Sequence, residues 1–477
     1  MSDRRDFIKK ALAGGGAALF VSKLSPVETA ARILAADEDP WARVPEILKR
    51  IKPPVFPKRD FEVTKYGAKG DGKLDNTEAF GKAIAACNKA GGGRVVVPAG
   101  TFLTGPIHLL SDVNLHVSEG ANVKFIQDPK AYLPAVYTRW EGMELMSYSP
   151  FIYAFEQQNI AVTGTGMLDG NSDDAHWWPW KGQAQHGYKK GDPNQSKARE
   201  RLAEMVERGV PVPERLFGEG SYLRPQFIQP YRCQNVLVEG VSIVNSPMWE
   251  INPVLCTNVT VRGVNIKSHG PNNDGCDPES CKDVLIENCT FDTGDDCIAV
   301  KSGRNADGRR INVPSENIVI RGCRMKDGHG GVTIGSEISG GVRHLFAEDC
   351  TMDSPNLDHA LRFKNNAVRG GLLENIFFRN ITVGQVAHAV LTVDFNYEEG
   401  AKGNFTPVVR NLSVQNLKSG KSRLALDVQG FENAPIYDLR LKDCTFDNVE
   451  RPAIVKNVSG LKLENVKING SVVDKLG

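Results

Sequence analysis

From residue 235 onward the chain repeats one alternation of apolar and polar positions. Asn235-Val-Leu-Val-Glu-Gly-Val-Ser-Ile returns as Asn258-Val-Thr-Val-Arg-Gly-Val-Asn-Ile, then as Asp283-Val-Leu-Ile-Glu-Asn-Cys-Thr-Phe and as Asn317-Ile-Val-Ile-Arg-Gly-Cys-Arg-Met. Further copies begin at His344, Asn375, Asn411, Asp438 and Gly460, and weaker ones at Asp112 and Asn159. Alternation with a period of two predicts a strand with one buried face. The Gly, Asn or Asp in the middle of each copy predicts a bend between two short strands. The copies start at uneven intervals and no amphipathic helix separates them, so they are not βαβ units. A propeller would need longer blades at steadier spacing. Short strand–bend–strand coils stacked on one another predict an all-β fold, a right-handed parallel β-helix.

The flanks fit a solenoid that has to cover its core. The pattern predicts a short helix over 77–89, with Phe80, Ile84 and Cys87 on an apolar face that plugs the first coil. Residues 170–225 break the repeat. They are rich in Trp, Gly, Pro and charge, and they predict a long insertion with a helix over 196–208 ended by Gly209.

Basic and acidic residues number 58 and 57, for a net charge of +1, which excludes the broad electropositive surface of a nucleic-acid binder. An anionic substrate would have to be held by a few placed cations. Arg4 and Arg5, followed by Phe7, Lys9 and a short apolar run, predict an export signal of the twin-arginine type over residues 1–36. The rival is a frayed basic helix on a cytosolic protein. Residues 37–60 then read as a linker and 61–477 as the β-helix domain. No other segment predicts a membrane span. Oligomeric state is not legible. Of the ten cysteines, Cys289, Cys323, Cys350 and Cys444 occupy a repeat position that holds Val, Ile or Leu elsewhere, so free core thiols are expected. A bridge such as Cys276–Cys281 is left open by the sequence.

A second strand follows each repeat. Aligned on one another, Asp274-Gly-Cys, Asp295-Asp-Cys and His329-Gly-Gly fall in one register of three consecutive coils, with Asp296 beside them. Strands about 4.8 Å apart would stack these side chains in a column. One coil on, Arg362 and Lys364 share a strand face. Three carboxyls so close cannot all ionise freely, so at least one keeps a proton and becomes a general acid. The others can orient and deprotonate water. Adjacent cations would hold an acidic sugar by its carboxylate.

The set Asn273-Asp274-Gly275, Gly294-Asp295-Asp296, Gly328-His329-Gly330 and Arg362-Phe363-Lys364 resembles the four signatures of glycoside hydrolase family 28, the polygalacturonases. The similarity runs from about residue 61 to the carboxyl terminus. Two positions depart from the usual pattern, Asn273 where Thr is common and Phe363 where Ile is commoner. The resemblance implies inverting hydrolysis of the α-1,4-galacturonosyl links of polygalacturonate or pectic oligosaccharides, with no metal and no cofactor. It implies Asp295 as the acid, Asp274 and Asp296 as the pair activating water, and His329 in support of the acid. Arg362 and Lys364 would anchor galacturonate, and Tyr397 matches the family's tyrosine.

The insertion and residues 302–314 could wall off one end of the groove, so exo action releasing galacturonate is expected. Rival readings are a hydrolase of another pectic linkage, a calcium-dependent pectate lyase and a non-catalytic carbohydrate-binding solenoid. Trp177, Trp178, Trp180 and Trp249 read equally as sugar platforms or as packing. Asn235, Asn258 and Asn317 read as ladder residues bonding coil to coil.

Overall fold

The computed structural model describes residues 39–476. The chain divides at residue 46 into a short amino-terminal unit and a large one, residues 47–477. In the first, a 3-10 turn, Pro40–Ala42, is capped by Asp39, whose carboxylate accepts from the Trp41 amide at 3.0 Å. The predicted export signal lies outside the described residues.

The large unit is a parallel β-helix whose strands stack in three columns. One column carries the first half of each repeat. It runs without a break through Val95, Leu115, Val162, Val238, Val261, Ile286, Ile320, Ala347, Phe378, Val414, Leu441 and Leu463. The second column carries the other half, and the third holds the strands that follow the repeat. Stacking in register puts each core residue on its counterpart one coil away, and the interior is a single apolar cluster from Val63 to Ile468. Both turning points of the repeat are left-handed. Asn235, Asn258, Asp283 and Asn317 have φ between 57° and 60°, and the mid-repeat residues Gly240, Gly263, Asn288 and Gly322 lie between 56° and 77°. Asn, Asp and Gly adopt that conformation most readily, which accounts for their recurrence. The Asn side chains also bond along the stack: Asn258 Nδ2 donates to Asn235 Oδ1 at 2.7 Å and Asn235 Nδ2 to Asn159 Oδ1 at 2.8 Å.

The capping helix spans Thr77–Lys89 and buries Ala79, Phe80, Ala83, Ile84 and Cys87 over the first coils. All ten cysteines are buried and free, Cys276 and Cys281 included. The insertion holds a helix, Ser196–Glu207, followed by Gly209 at φ +67°. Among the described residues no helix is long and apolar enough to cross a membrane.

Candidate active site

The third column builds the site. Cys276 is bridged to Ile298, which pairs with Val332 and then Leu361. This ladder puts Asp274 level with Asp296, and Asp295 level with His329. The expected register, which set Asp274 level with Asp295 by matching Cys276 to Cys297, is therefore one residue out. The core-facing residues Cys276, Ile298 and Val332 must stack, and that requirement decides the register. The slip draws all three aspartates together rather than apart: one carboxyl oxygen from each of Asp274, Asp295 and Asp296 lies within 4.8 Å of the others.

Each aspartate has its own cation. Lys364 Nζ sits 2.5 Å from Asp296 Oδ2, while the Thr333 hydroxyl donates to Asp296 Oδ1 at 3.0 Å. His329 Nδ1 meets Asp295 Oδ1 at 2.9 Å, and Asn272 Nδ2 approaches the other oxygen at 3.3 Å. Lys301 Nζ lies 3.4 Å from Asp274, 3.7 Å from Asp277 and 3.3 Å from Glu337, and 4.3 Å from the centre of the Trp249 ring. Three carboxylates this close could hold a divalent ion by spacing alone, but Lys301, His329 and Lys364 already stand against their oxygens.

Burial dominates the titration of Asp274 and, with the Asp295 charge beside it, pushes its carboxyl well above the usual range despite Lys301. Asp274 Oδ1 has no hydrogen-bond partner among the described residues, an arrangement that favours a proton there. Asp295 goes the other way: burial would raise it, but the hydrogen bond and charge of His329, with Lys364 and Lys301, hold it below the carboxylate range. The hydrogen bond and charge of Asp295 lift His329 to about 9. In the free protein the shared proton thus favours Asp274 among the carboxyls, and Asp295 and His329 hold one proton between them as a pair. His329 is half-exposed, so the pair adds little to stability. Its contribution is full between about pH 4 and 6.5 and is lost as pH rises through about 9. The His329 ring is expected to titrate near 9 by NMR and to fall back toward 6.5 in Asp295→Asn; an unchanged value would refute the pairing.

The remaining expected residues reach the same cavity, of about 410 Å³. Arg362 Nη1 donates to the His329 carbonyl at 3.2 Å and lies 3.7 Å from Asp296. The Tyr397 ring stands 5.5 Å from Lys364 Nζ and 5.8 Å from Arg362 Cζ. Lys364, expected as a free anchor for substrate, is buried and committed to Asp296. An ammonium out of water needs a partner, and Asp296 supplies it. Arg362 keeps more exposure and is the better placed to meet a ligand.

Lys301, Asp277 and Glu337 were missed in the sequence. The available signal was a lysine closing an apolar strand, Ile298-Ala-Val-Lys301, since a buried charge demands partners. Trp177 is packing: it is buried with ring neighbours Tyr132 at 5.3 Å and Trp180 at 4.9 Å. Trp249 lines the cavity beneath the Lys301 ammonium. The insertion contributes a wall through Lys181, Gln183, His186 and Arg199, whereas residues 302–314, expected to share it, give the cavity no lining residue beyond their neighbour Lys301.

Known proteins resemble this chain in sequence and in fold. A solved exopolygalacturonase of Thermotoga maritima is 49% identical, covers 92% of this chain and 98% of its own, and superposes with a TM-score of 0.89. The exo-poly-alpha-D-galacturonosidase of Dickeya chrysanthemi is 28% identical over 412 residues, 79% of this chain and 65% of that protein. A probable polygalacturonase of Vitis vinifera is 27% identical over 80% of this chain and 72% of its own length. Residues 61–127 match a model described as rhamnogalacturonase A/epimerase, pectate lyase-like. Residues 219–472, more than half of the chain and every aspartate of the cluster, match the model of glycosyl hydrolases family 28, and the chain belongs to that family.

Proposed function

We propose that this glycoside hydrolase cleaves α-1,4-galacturonosyl links from the ends of pectic chains and releases galacturonate. The observation that carries the reading is one cavity in which Asp274 and Asp295, with the buried Asp296 behind them, meet His329, Arg362 and Tyr397 while the insertion forms a wall. The names of the Thermotoga and Dickeya relatives support the exo reading. Export of the mature protein is part of the proposal and rests on the basic and apolar start of the chain.

In this mechanism the Asp295–His329 pair delivers its proton, through Asp295, to the leaving glycosidic oxygen. An anionic sugar bound beside Asp295 disfavours its charged form and so moves the shared proton toward it. Once Asp274 has released to solvent the proton it holds in the free protein, Asp274 and Asp296, fixed by Lys301 and Lys364, orient a water and take its proton. Arg362 holds the carboxylate of the galacturonate on the leaving side, with Tyr397 beneath it.

Following the first minutes of polygalacturonate digestion by proton NMR tests both mode and stereochemistry. Galacturonate monomer alone, appearing first as the β anomer, is expected. A ladder of mixed oligomers would overturn exo action, and α product first would overturn inversion. The anomer is decisive because the carboxyl oxygens lie within 4.8 Å of one another. That is tighter than the ~6.5–9.5 Å usual between inverting carboxyls, so spacing alone would favour a covalent intermediate.

A further inference from the structure

Five lysine and arginine side chains line the cavity: Lys181, Arg199, Lys301, Arg362 and Lys364. Four are committed to carboxylates. Arg199 pairs with Glu141 at 2.7 Å, Lys364 with Asp296 at 2.5 Å, Lys301 with three acids, and Arg362 stands 3.7 Å from Asp296. Glu141, the acid whose charge acts most strongly on Lys181, is already held by Arg199 and by Arg304 at 3.1 Å. Lys181 makes no ion pair with any described residue, although it is largely withdrawn from solvent, and burial pulls its ammonium below the usual lysine range. A partly desolvated cation facing a cavity gains most from an incoming anion.

The position of Lys181 is built, not incidental. It ends the 3-10 turn Trp178–Lys181, and Gly182 at φ +82° turns the chain away behind it. Two contacts lock this turn to the solenoid and a third ties it to the rest of the insertion. Trp177 is wedged into the core, the Trp178 indole donates to the Ser246 carbonyl at 2.8 Å, and the Trp180 carbonyl accepts from the Gln195 amide at 2.8 Å. The tryptophans of the insertion thereby hold a lysine in place. Ser246 belongs to the repeat two coils before that of Asp295, and Arg362 to the repeat two coils after it. The two cations therefore approach the aspartates from opposite sides along the solenoid axis.

We infer that Lys181 binds the carboxylate of the chain-terminal galacturonate, across the scissile bond from Arg362. The inference rests on the galacturonan hydrolase reading and narrows it: the site requires a free acid on both sugars that flank the bond. A neutral or methyl-esterified terminal residue would leave the Lys181 ammonium desolvated and unpaired.

The test is steady-state kinetics on trigalacturonate and on the same trimer esterified only at its terminal residue, for wild type, Lys181→Met and Lys181→Arg. A lost charge-assisted hydrogen bond corresponds to roughly 10–100-fold. Wild type is expected to lose that factor in kcat/KM on the ester. Lys181→Met should lose it on the free acid, mainly through KM, and should no longer distinguish the two substrates. Lys181→Arg, which keeps the charge, should retain most of the discrimination and show that the methionine effect is not a folding defect. Unchanged KM in Lys181→Met, or undiminished discrimination, would overturn the assignment. Wild-type inactivity on the free trimer would instead overturn the hydrolase reading beneath it.

Discussion

Asp295→Asn is expected to lower kcat on polygalacturonate by ~10²–10⁴-fold, the range that positioned proton transfer contributes, with KM little changed and the fold intact. The amide is isosteric with the carboxyl; its oxygen can accept from Asn272 and its NH2 can donate to a neutral His329 Nδ1, the two side chains that hold Asp295 at 3.3 and 2.9 Å. The coil keeps its backbone bonds, including that from the His329 amide to the residue 295 carbonyl at 3.0 Å. In the proposed mechanism the variant loses the carboxyl that passes the proton held with His329 to the leaving oxygen. Because the loss falls on the chemical step and not on binding, kcat and kcat/KM should drop together. Circular dichroism and the thermal midpoint should match wild type. Turnover within a few-fold of wild type would remove Asp295 from the mechanism.

Residue patterns made the scaffold legible because the same physics acts at every coil. A period of two with a recurring Asn, Asp or Gly specifies strand, left-handed bend and strand locally, so the repeat and the helix Thr77–Lys89 could be placed without tertiary information. The site was legible as a group but not as a set of partners. Aligning Asp274-Gly-Cys with Asp295-Asp-Cys matched letters, whereas the chain stacks Cys276 on Ile298 because the interior must be filled. That one-residue difference decides that Asp274 is level with Asp296, whereas Asp295 stays level with His329 as the alignment had it. Similarly, Lys364 reads in the sequence as a free cation, and only the fold shows that Asp296 already claims it. Lys181 lay in the one stretch without periodicity, where no repeat indicated which way its side chain faced.

Lys301→Met should damage stability and catalysis together, and the size of the stability loss should depend on pH. Lys301 is 2% exposed and is the common partner of Asp274, Asp277 and Glu337, while neither oxygen of Asp277 has a hydrogen-bond partner among the described residues. Removing one member of a buried ion cluster leaves its charges uncompensated and costs about 3–5 kcal/mol. The sign of the pH effect follows from linkage. Lys301 is raised well above the usual lysine range by its three acids, so its contribution is complete below about pH 10.5 and is lost only on deprotonation at higher pH. Glu337 is held below the carboxylate range, with Lys301 the first of the charges that lower it. Its contribution is complete above about pH 4.5 and is lost as pH falls through its folded value. The part of the deficit that comes from Glu337 should therefore shrink as pH falls below about 4.5, whereas Asp274 and Asp277, raised well above the carboxylate range even beside Lys301, take up their protons at higher pH. Without the ammonium, Asp274 also holds its proton more tightly, so the acid limb of the kcat profile should move to higher pH. Adding Asp277→Asn removes a buried carboxyl that burial already pushes well above the usual range, and should restore part of the stability but not the pH profile, since Asp274 would still lack its cation. Thermal midpoints of both variants across this range measure the first effect and the kcat profile the second. A Lys301→Met protein as stable as wild type at pH 7 would mean that water, not Lys301, neutralises this cluster.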